Sequence, residues 1–113
     1  MRFRLVIIAS LAGCAPLNAM AGTLSGKDLL DACEAADAAR NAFCLGYIRG
    51  VTEVDASRQA TSVSNWMACL PPESATAALV NATARWIHTH PDMQVSSAAI
   101  SVEMAVRSAF PCH

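Results

Sequence analysis

Five cysteines, three histidines and nine acidic residues are the side chains with most chemical potential in this 113-residue chain. Their spacing excludes most of the familiar reactions. His88 and His90 stand two apart, so on a helix they face different ways and do not chelate together. His113 ends the chain. The cysteines include no C-x-x-C pair, and their wide spacing does not suit zinc. Hydrolase, metalloprotease, P-loop and dinucleotide-binding motifs are absent. Asp28, Asp31, Glu34 and Asp37 crowd one short stretch, which reads as a solvated helix face rather than a buried acid–base pair. No catalytic residue, metal or cofactor is therefore expected, and the chain does not read as an enzyme. What remains is thiol oxidation. Beyond Cys14 there are Cys33, Cys44, Cys69 and Cys112. An even number in a small exported chain implies two disulfides. Three pairings are possible. The expected one is Cys33–Cys44, across a short loop between adjacent helices, with Cys69–Cys112 tying the end of the chain to its middle.

Export is read from the first residues. Arg2 and Arg4 precede a short apolar run from Leu5 to Leu11, and Ala19-Met20-Ala21 has the form of a leader cleavage site. The run is too short to span a bilayer, which needs about 20 residues. The expected division is a signal peptide at 1–21 and one domain at 22–113, periplasmic in a bacterium. The alternative is a lipoprotein: Leu11-Ala12-Gly13-Cys14 has the pattern in which the cysteine becomes lipidated. Loss of Arg2 and Arg4 leaves six basic residues against nine acidic ones, a net charge of about −3. That balance argues against nucleic acid and against an anionic membrane as partners. A chain of this size has a modest core, which disulfides would reinforce.

The elements that position the cysteines read as helices. Ser25 and Asp28 form a capping-box pattern that opens a helix at about 26–39, with Leu29, Leu30, Cys33 and Ala36 inward. Arg40-Asn41 is expected to turn the chain into a second helix at about 42–58, with Arg49 and Glu53 spaced as an ion pair. A polar segment follows, closing on Trp66 and Cys69, and Pro71-Pro72 introduces a third helix at about 73–89. Its stripe is Ala75, Leu79, Ala82 and Trp86, with Ala78 and Ile87 beside it. His90-Pro91-Asp92 ends this helix. After a loop, Ser96 or Ser97 caps a fourth helix at about 98–110, with Ala99, Val102, Val106 and Ala109 inward. No strand pattern or repeat occurs. The expected class is all-α, a compact bundle of four main helices cross-linked by two disulfides.

The stretch from Phe43 to Gly50 stands out. Gly46 and Gly50 lie one turn apart, and each costs about 1 kcal/mol against alanine inside a helix. Close approach of another helix or ring is the expected reason. Phe43 and Tyr47 are expected to fill the centre of the bundle, and Gly46→Leu to overpack it.

Several elements now stand in order: Leu29-Leu30-x-x-Cys33, Phe43-Cys44-Leu45-Gly46-Tyr47-Ile48-Arg49-Gly50, Cys69-Leu70-Pro71, Arg85-Trp86-Ile87-x-x-His90-Pro91-Asp92 and Ala109-Phe110-Pro111-Cys112. Together they resemble the Rap/Tai family of type VI secretion immunity proteins, over nearly all of 22–113. The chain departs from that family's pattern at Pro71-Pro72 and in its alanine-rich third helix. The resemblance implies a helical, disulfide-bonded, homodimeric periplasmic inhibitor of a peptidoglycan amidase toxin, acting by plugging the toxin's cleft. Phe43, Gly46, Tyr47, Gly50, His90 and Pro91 would be family packing positions. Toxin contacts are expected from the loop after the third helix: Thr89, Asp92, Met93, Gln94, Val95 and Ser96, with Met93 and Gln94 entering the cleft. The alternatives are a small periplasmic acid-stress chaperone, which would expose apolar surface as carboxylates are protonated, and a structural helical protein.

Overall fold

A computed structural model describes residues 23–60, 68–70 and 76–112. The leader, Cys14, Trp66, Pro71-Pro72 and His113 lie outside the described residues. Five helices follow one another: α1 (Gly26–Cys33), α2 (Ala38–Ala60), α3 (Thr76–Thr89), α4 (Pro91–Val95) and α5 (Ala98–Ala109). The all-α class and the four main helices are as expected. The fifth, α4, is a short helix where a loop was expected. Among the described residues there is no strand, only two isolated bridges, Ser25 with Ser97 and Ala68 with Pro111. No helix among them is long and apolar enough to cross a membrane.

The start of α1 follows its sequence signal. The Ser25 hydroxyl accepts from the Asp28 amide at 3.1 Å, and the Asp28 carboxylate accepts from the Ser25 amide and hydroxyl. These bonds, the hydroxyl's first, hold the Asp28 carboxyl below its ordinary range.

The end of α1 differs from expectation. The helix stops at Cys33, not at 39, and α2 begins at Ala38. Asp37 caps the new helix, its carboxylate accepting from the Arg40 amide at 3.0 Å. Asn41 reaches back from the first turn of α2 and donates to the Ala32 and Ala35 carbonyls, at 3.2 and 2.6 Å. The expected turn at Arg40-Asn41 thus lies inside α2, and Asp37, expected on a solvated face, and Asn41, expected in the turn, are the caps that set the corner.

The core centres on Leu29 of α1, Ile48 of α2, Ile87 of α3, and Val102 and Val106 of α5, all fully buried. Cys44, Thr83 and Ser101 join them. The two hydroxyls are satisfied: Thr83 donates to the Leu79 carbonyl at 2.9 Å, and Ser101 to the Met93 carbonyl at 3.1 Å. Of the expected stripes, Leu29, Leu30, Leu79, Ile87, Val102 and Val106 are buried, while Ala36 and Ala109 are exposed.

The second helix is rotated relative to the sequence reading. Its buried residues are Cys44, Ile48, Thr52 and Asp55. Phe43 is 48% exposed and Tyr47 only partly buried, their rings 6.0 Å apart on the outer side. Phe43 and Tyr47 do not fill the centre. A Cβ built on Gly46 or Gly50 meets nothing within 4 Å, so among the described residues no neighbouring helix rests on them. The stripe chosen from sequence was the more apolar one. The true one carries Thr52, whose hydroxyl donates to the Ile48 carbonyl at 3.0 Å, and Asp55. Arg49 and Glu53 pair on the exposed side at 3.2 Å, as their spacing suggested.

Both disulfides join the expected partners, Cys33–Cys44 and Cys69–Cys112, with sequence separations of 11 and 43. In the chain-entropy account these contribute about 3 and about 4 kcal/mol. The first pins α1 to the buried side of α2. The second is accompanied by a hydrogen bond from the Cys69 amide to the Phe110 carbonyl at 2.8 Å.

Candidate functional site

Two surfaces stand out, and each starts from a local sequence rule. The first is the corner made by α4. Pro91 fixes the first position of this helix, where its missing N–H costs nothing. Before it, His90 stacks on Trp86, ring centroids 3.7 Å apart, and its Nδ1–H donates to the Trp86 carbonyl at 2.9 Å. His88 turns the other way and pairs with Glu34, which caps the end of α1. The two histidines have separate structural roles, as their spacing implied.

The far end of α4 is clamped to the start of α1. The Gly26 amide donates to the Ser96 carbonyl at 2.9 Å, and the Ala98 amide to the Leu24 carbonyl at 2.7 Å. Gly26 makes this possible. A Cβ there would lie 2.0 Å from the Met93 carbonyl oxygen and 2.9 Å from the Ser101 hydroxyl. Close approach is therefore a property of Gly26, not of Gly46 or Gly50. The only sequence signal was a glycine in the first helical position after a cap, where glycine has no helical advantage.

The six expected contact residues do lie together on this corner, but they differ in reach. Thr89, Asp92 and Val95 are exposed, Val95 by 87%. Met93, Gln94 and Ser96 are half-buried, and the Met93 backbone is taken up by Gly26 and Ser101. Val95 projects furthest of the six, and the side chains of Met93 and Gln94 stay half-buried beside it.

The second surface is a groove of about 500 Å³ between α2 and α5. Gly46 and Gly50 leave one side open, and Tyr47, Val51 and Val54 provide apolar walls. Asp55 and Glu103 line it with Arg58. Asp55 is only 4% exposed. Its Oδ1 lies 3.9 Å from Arg58, and its Oδ2 meets no hydrogen-bond donor among the described residues. Burial first, then the charge and contact of Asp55, push the Glu103 carboxyl above its ordinary range, against the opposing pull of Arg107 and Arg58. Burial also raises the Tyr47 hydroxyl, offset by a backbone hydrogen bond with Ala99. A buried Asp55 beside a part-buried Glu103 was not expected from sequence. The signal was there in spacing: Asp55 falls on the stripe of Cys44, Ile48 and Thr52.

Among the described residues no three His, Cys, Asp or Glu side chains gather as a metal site. The arrangement suits binding by shape and charge.

Comparison with known proteins gives one match. The family model of the Rap1a immunity proteins fits residues 25–112. No curated protein and no solved structure matches. Ser25 opens the first helix and Cys112 closes the second disulfide, so the match runs across the whole unit described above, and the chain belongs to the family of Rap1a immunity proteins.

Proposed function

We propose that the protein neutralises a peptidoglycan amidase toxin of a type VI secretion system in the periplasm, by filling the toxin's cleft with the α4 corner. Family membership supports the immunity role. The observation that carries the mode of action is the setting of Val95: 87% exposed, at the end of a helix whose exit is fixed by the Gly26–Ser96 and Ala98–Leu24 hydrogen bonds. An element held in place before binding loses little freedom when bound, so more of its contact energy appears as affinity. An exposed aliphatic tip beside the carboxylate of Asp92 offers one apolar anchor and one polar contact at the centre of an interface.

The test is protection. Cells expressing the amidase encoded beside this gene should survive with the parent protein. They should lyse with Val95→Asp, while the purified variant melts at the parent temperature. Full protection by Val95→Asp would refute the α4 mode. Failure of the parent to bind or protect would refute the immunity reading itself. Export belongs to the same proposal: the mature protein should begin at Gly22 in the periplasmic fraction, whereas a membrane-bound product lipidated at Cys14 would overturn that part. The inhibitory unit is proposed to be a homodimer, checked by sedimentation equilibrium.

A chaperone reading has one supporting observation, the Asp55–Glu103 pair beside exposed Val54 and Met104. It requires protection of unrelated proteins from aggregation at acidic pH. Selective binding of one amidase would exclude it.

A further inference from the structure

We propose that the groove between α2 and α5 receives a basic side chain, best an arginine, presented by the protein that this chain binds. The inference rests on the reading of the chain as a protein-binding inhibitor. It concerns a face separate from the α4 corner.

Four observations carry it. Asp55 is almost fully buried, its Oδ2 meets no amide, hydroxyl or cationic donor among the described residues, and its side-chain contact is with the Glu103 carboxyl, so the two acids sit together only while one keeps a proton. A cationic donor brought by a partner replaces that proton. Second, the groove is open because α2 has glycines at 46 and 50, where an added Cβ would meet nothing within 4 Å among the described residues. Two glycines on an exposed helix face weaken the helix with no packing reward inside the chain. Their effect is to leave room. Third, the walls are Tyr47, Val51 and Val54 and the polar groups stand at one end, a layout that suits an apolar methylene stem bearing a charged head. Fourth, the charges that face the pair are few. On α2 these are Asp55 and Arg58, and on α5 Glu103 and Arg107. Arg58 lies 3.9 Å from the Asp55 Oδ1, a long ion pair made from a side chain that is 59% exposed. A guanidinium can bridge two carboxylates through parallel hydrogen bonds.

Other ligands fit less well. A hard divalent cation wants six or more oxygens, and here there are two carboxyls. A phosphate or nucleic acid would bring further negative charge against the buried Asp55.

The proton balance follows. Without a partner, Glu103 keeps its proton to a higher pH than an ordinary carboxyl, beside Asp55. An arriving cation favours both carboxylates in ionised form. The Glu103 proton goes to solvent, so binding should tighten as pH rises through that titration.

The experiment is an amide-resolved NMR titration of the purified, oxidised protein with arginine amide, and with citrulline amide as the uncharged isostere. Shifts should concentrate at Gly46, Gly50, Val54 and Glu103. The affinity for citrulline amide should be weaker by about tenfold or more. Affinity for arginine amide should rise from acidic to neutral pH. Asp55→Asn should abolish the localised shifts, and Glu103→Gln should weaken them and remove the pH dependence. Should Asp55→Asn fail to fold, Glu103→Gln alone decides. Absent or scattered shifts, an equal response to citrulline amide, or an unchanged response in the folded variants would overturn the proposal. So would concentration-dependent shifts of Gly46 and Gly50 without any ligand, which would assign the groove to a second copy of this chain. None of these outcomes depends on the amidase, so a failed groove leaves the cell-protection result standing, and the reverse.

Discussion

Gly26→Ala is the sharpest test of how the α4 corner is held. The new Cβ would stand 2.0 Å from the Met93 carbonyl oxygen, 3.0 Å from the Met93 carbonyl carbon and 2.9 Å from the Ser101 hydroxyl. The first contact is with backbone, so no side-chain rotation relieves it. α1 and α4 must separate by about 1.4 Å to carry that 2.0 Å approach to an ordinary contact of about 3.4 Å. The Gly26–Ser96 hydrogen bond, now 2.9 Å, then leaves bonding range. Overpacking of this kind costs about 1–3 kcal/mol, and the lost bond adds about 1 kcal/mol. Alanine's helical advantage, at most about 1 kcal/mol and smaller at a helix start, offsets part. The net loss is about 2–3 kcal/mol, or a fall in Tm of roughly 10–20 °C for a domain of this size. Gly46→Ala and Gly50→Ala form the contrast. Each meets open space, so each should gain about 0.5–1 kcal/mol and melt a few degrees higher. Thermal unfolding of the oxidised protein followed by far-ultraviolet circular dichroism reads all three. An unchanged Tm for Gly26→Ala would show that α1 and α4 are not in backbone contact. A lowered Tm for Gly46→Ala would show that something covers the glycine face. Gly26→Ala should also lose protection against the toxin, because the corner moves.

Three further outcomes follow from the geometry. Ser25→Ala removes the capping box and should destabilise by about 1 kcal/mol in denaturant unfolding. The double variant Cys69→Ala, Cys112→Ala opens a loop with a separation of 43 residues and should cost about 4 kcal/mol, while the Cys33–Cys44 bond persists in non-reducing peptide mapping. Glu103 should leave a signature in the pH dependence of stability. Its folded-state pKa is raised, so the native state holds this proton more tightly than the unfolded chain. The resulting stability is full below the ordinary carboxylate range and is lost as pH rises through the raised value. Glu103→Gln should flatten that decline and melt higher than the parent at neutral pH; identical Tm–pH profiles for the two proteins would refute the account. Asp28 acts with the opposite sign, since its lowered pKa gives stability that is lost as pH falls.

The helices, the capping box and the cysteine pairs were legible because each rests on local or covalent rules. Ser25 and Asp28 specify their own contact, and Cys33 and Cys44 flank one short corner. The rotation of α2 was not legible from hydrophobicity, because its buried stripe includes Thr52 and Asp55 while the rival stripe includes Phe43 and Val54. Ranking by apolarity selects the wrong face whenever a site has taken polar residues inward. The disulfide contained the correction. Cys44 must face α1 to reach Cys33, and Ile48, Thr52 and Asp55 follow on the same side. The short first helix was missed for a related reason. Asp37 reads as part of a solvated face and Asn41 as part of a turn, yet one caps α2 and the other takes up the carbonyls that end α1. Gly26 and α4 depend on a contact between segments about seventy residues apart, which no local pattern encodes.

The two surfaces are built differently, and the difference bears on what each can do. The α4 corner is clamped largely through main-chain atoms: the Gly26 amide to Ser96, the Ala98 amide to Leu24, and the Met93 carbonyl to Ser101. The side chains of Asp92 and Val95 take no part in those bonds, so they can be exchanged without disturbing the fold that presents them. Such a corner is suited to selecting a partner. The groove depends on the side chains themselves. Asp55 is buried on the inner stripe of α2, and Glu103 titrates in response to it. Exchange at either position alters stability and charge together. A basic anchor in the groove would therefore act as a common fixing point, while the choice among toxins would rest on the corner.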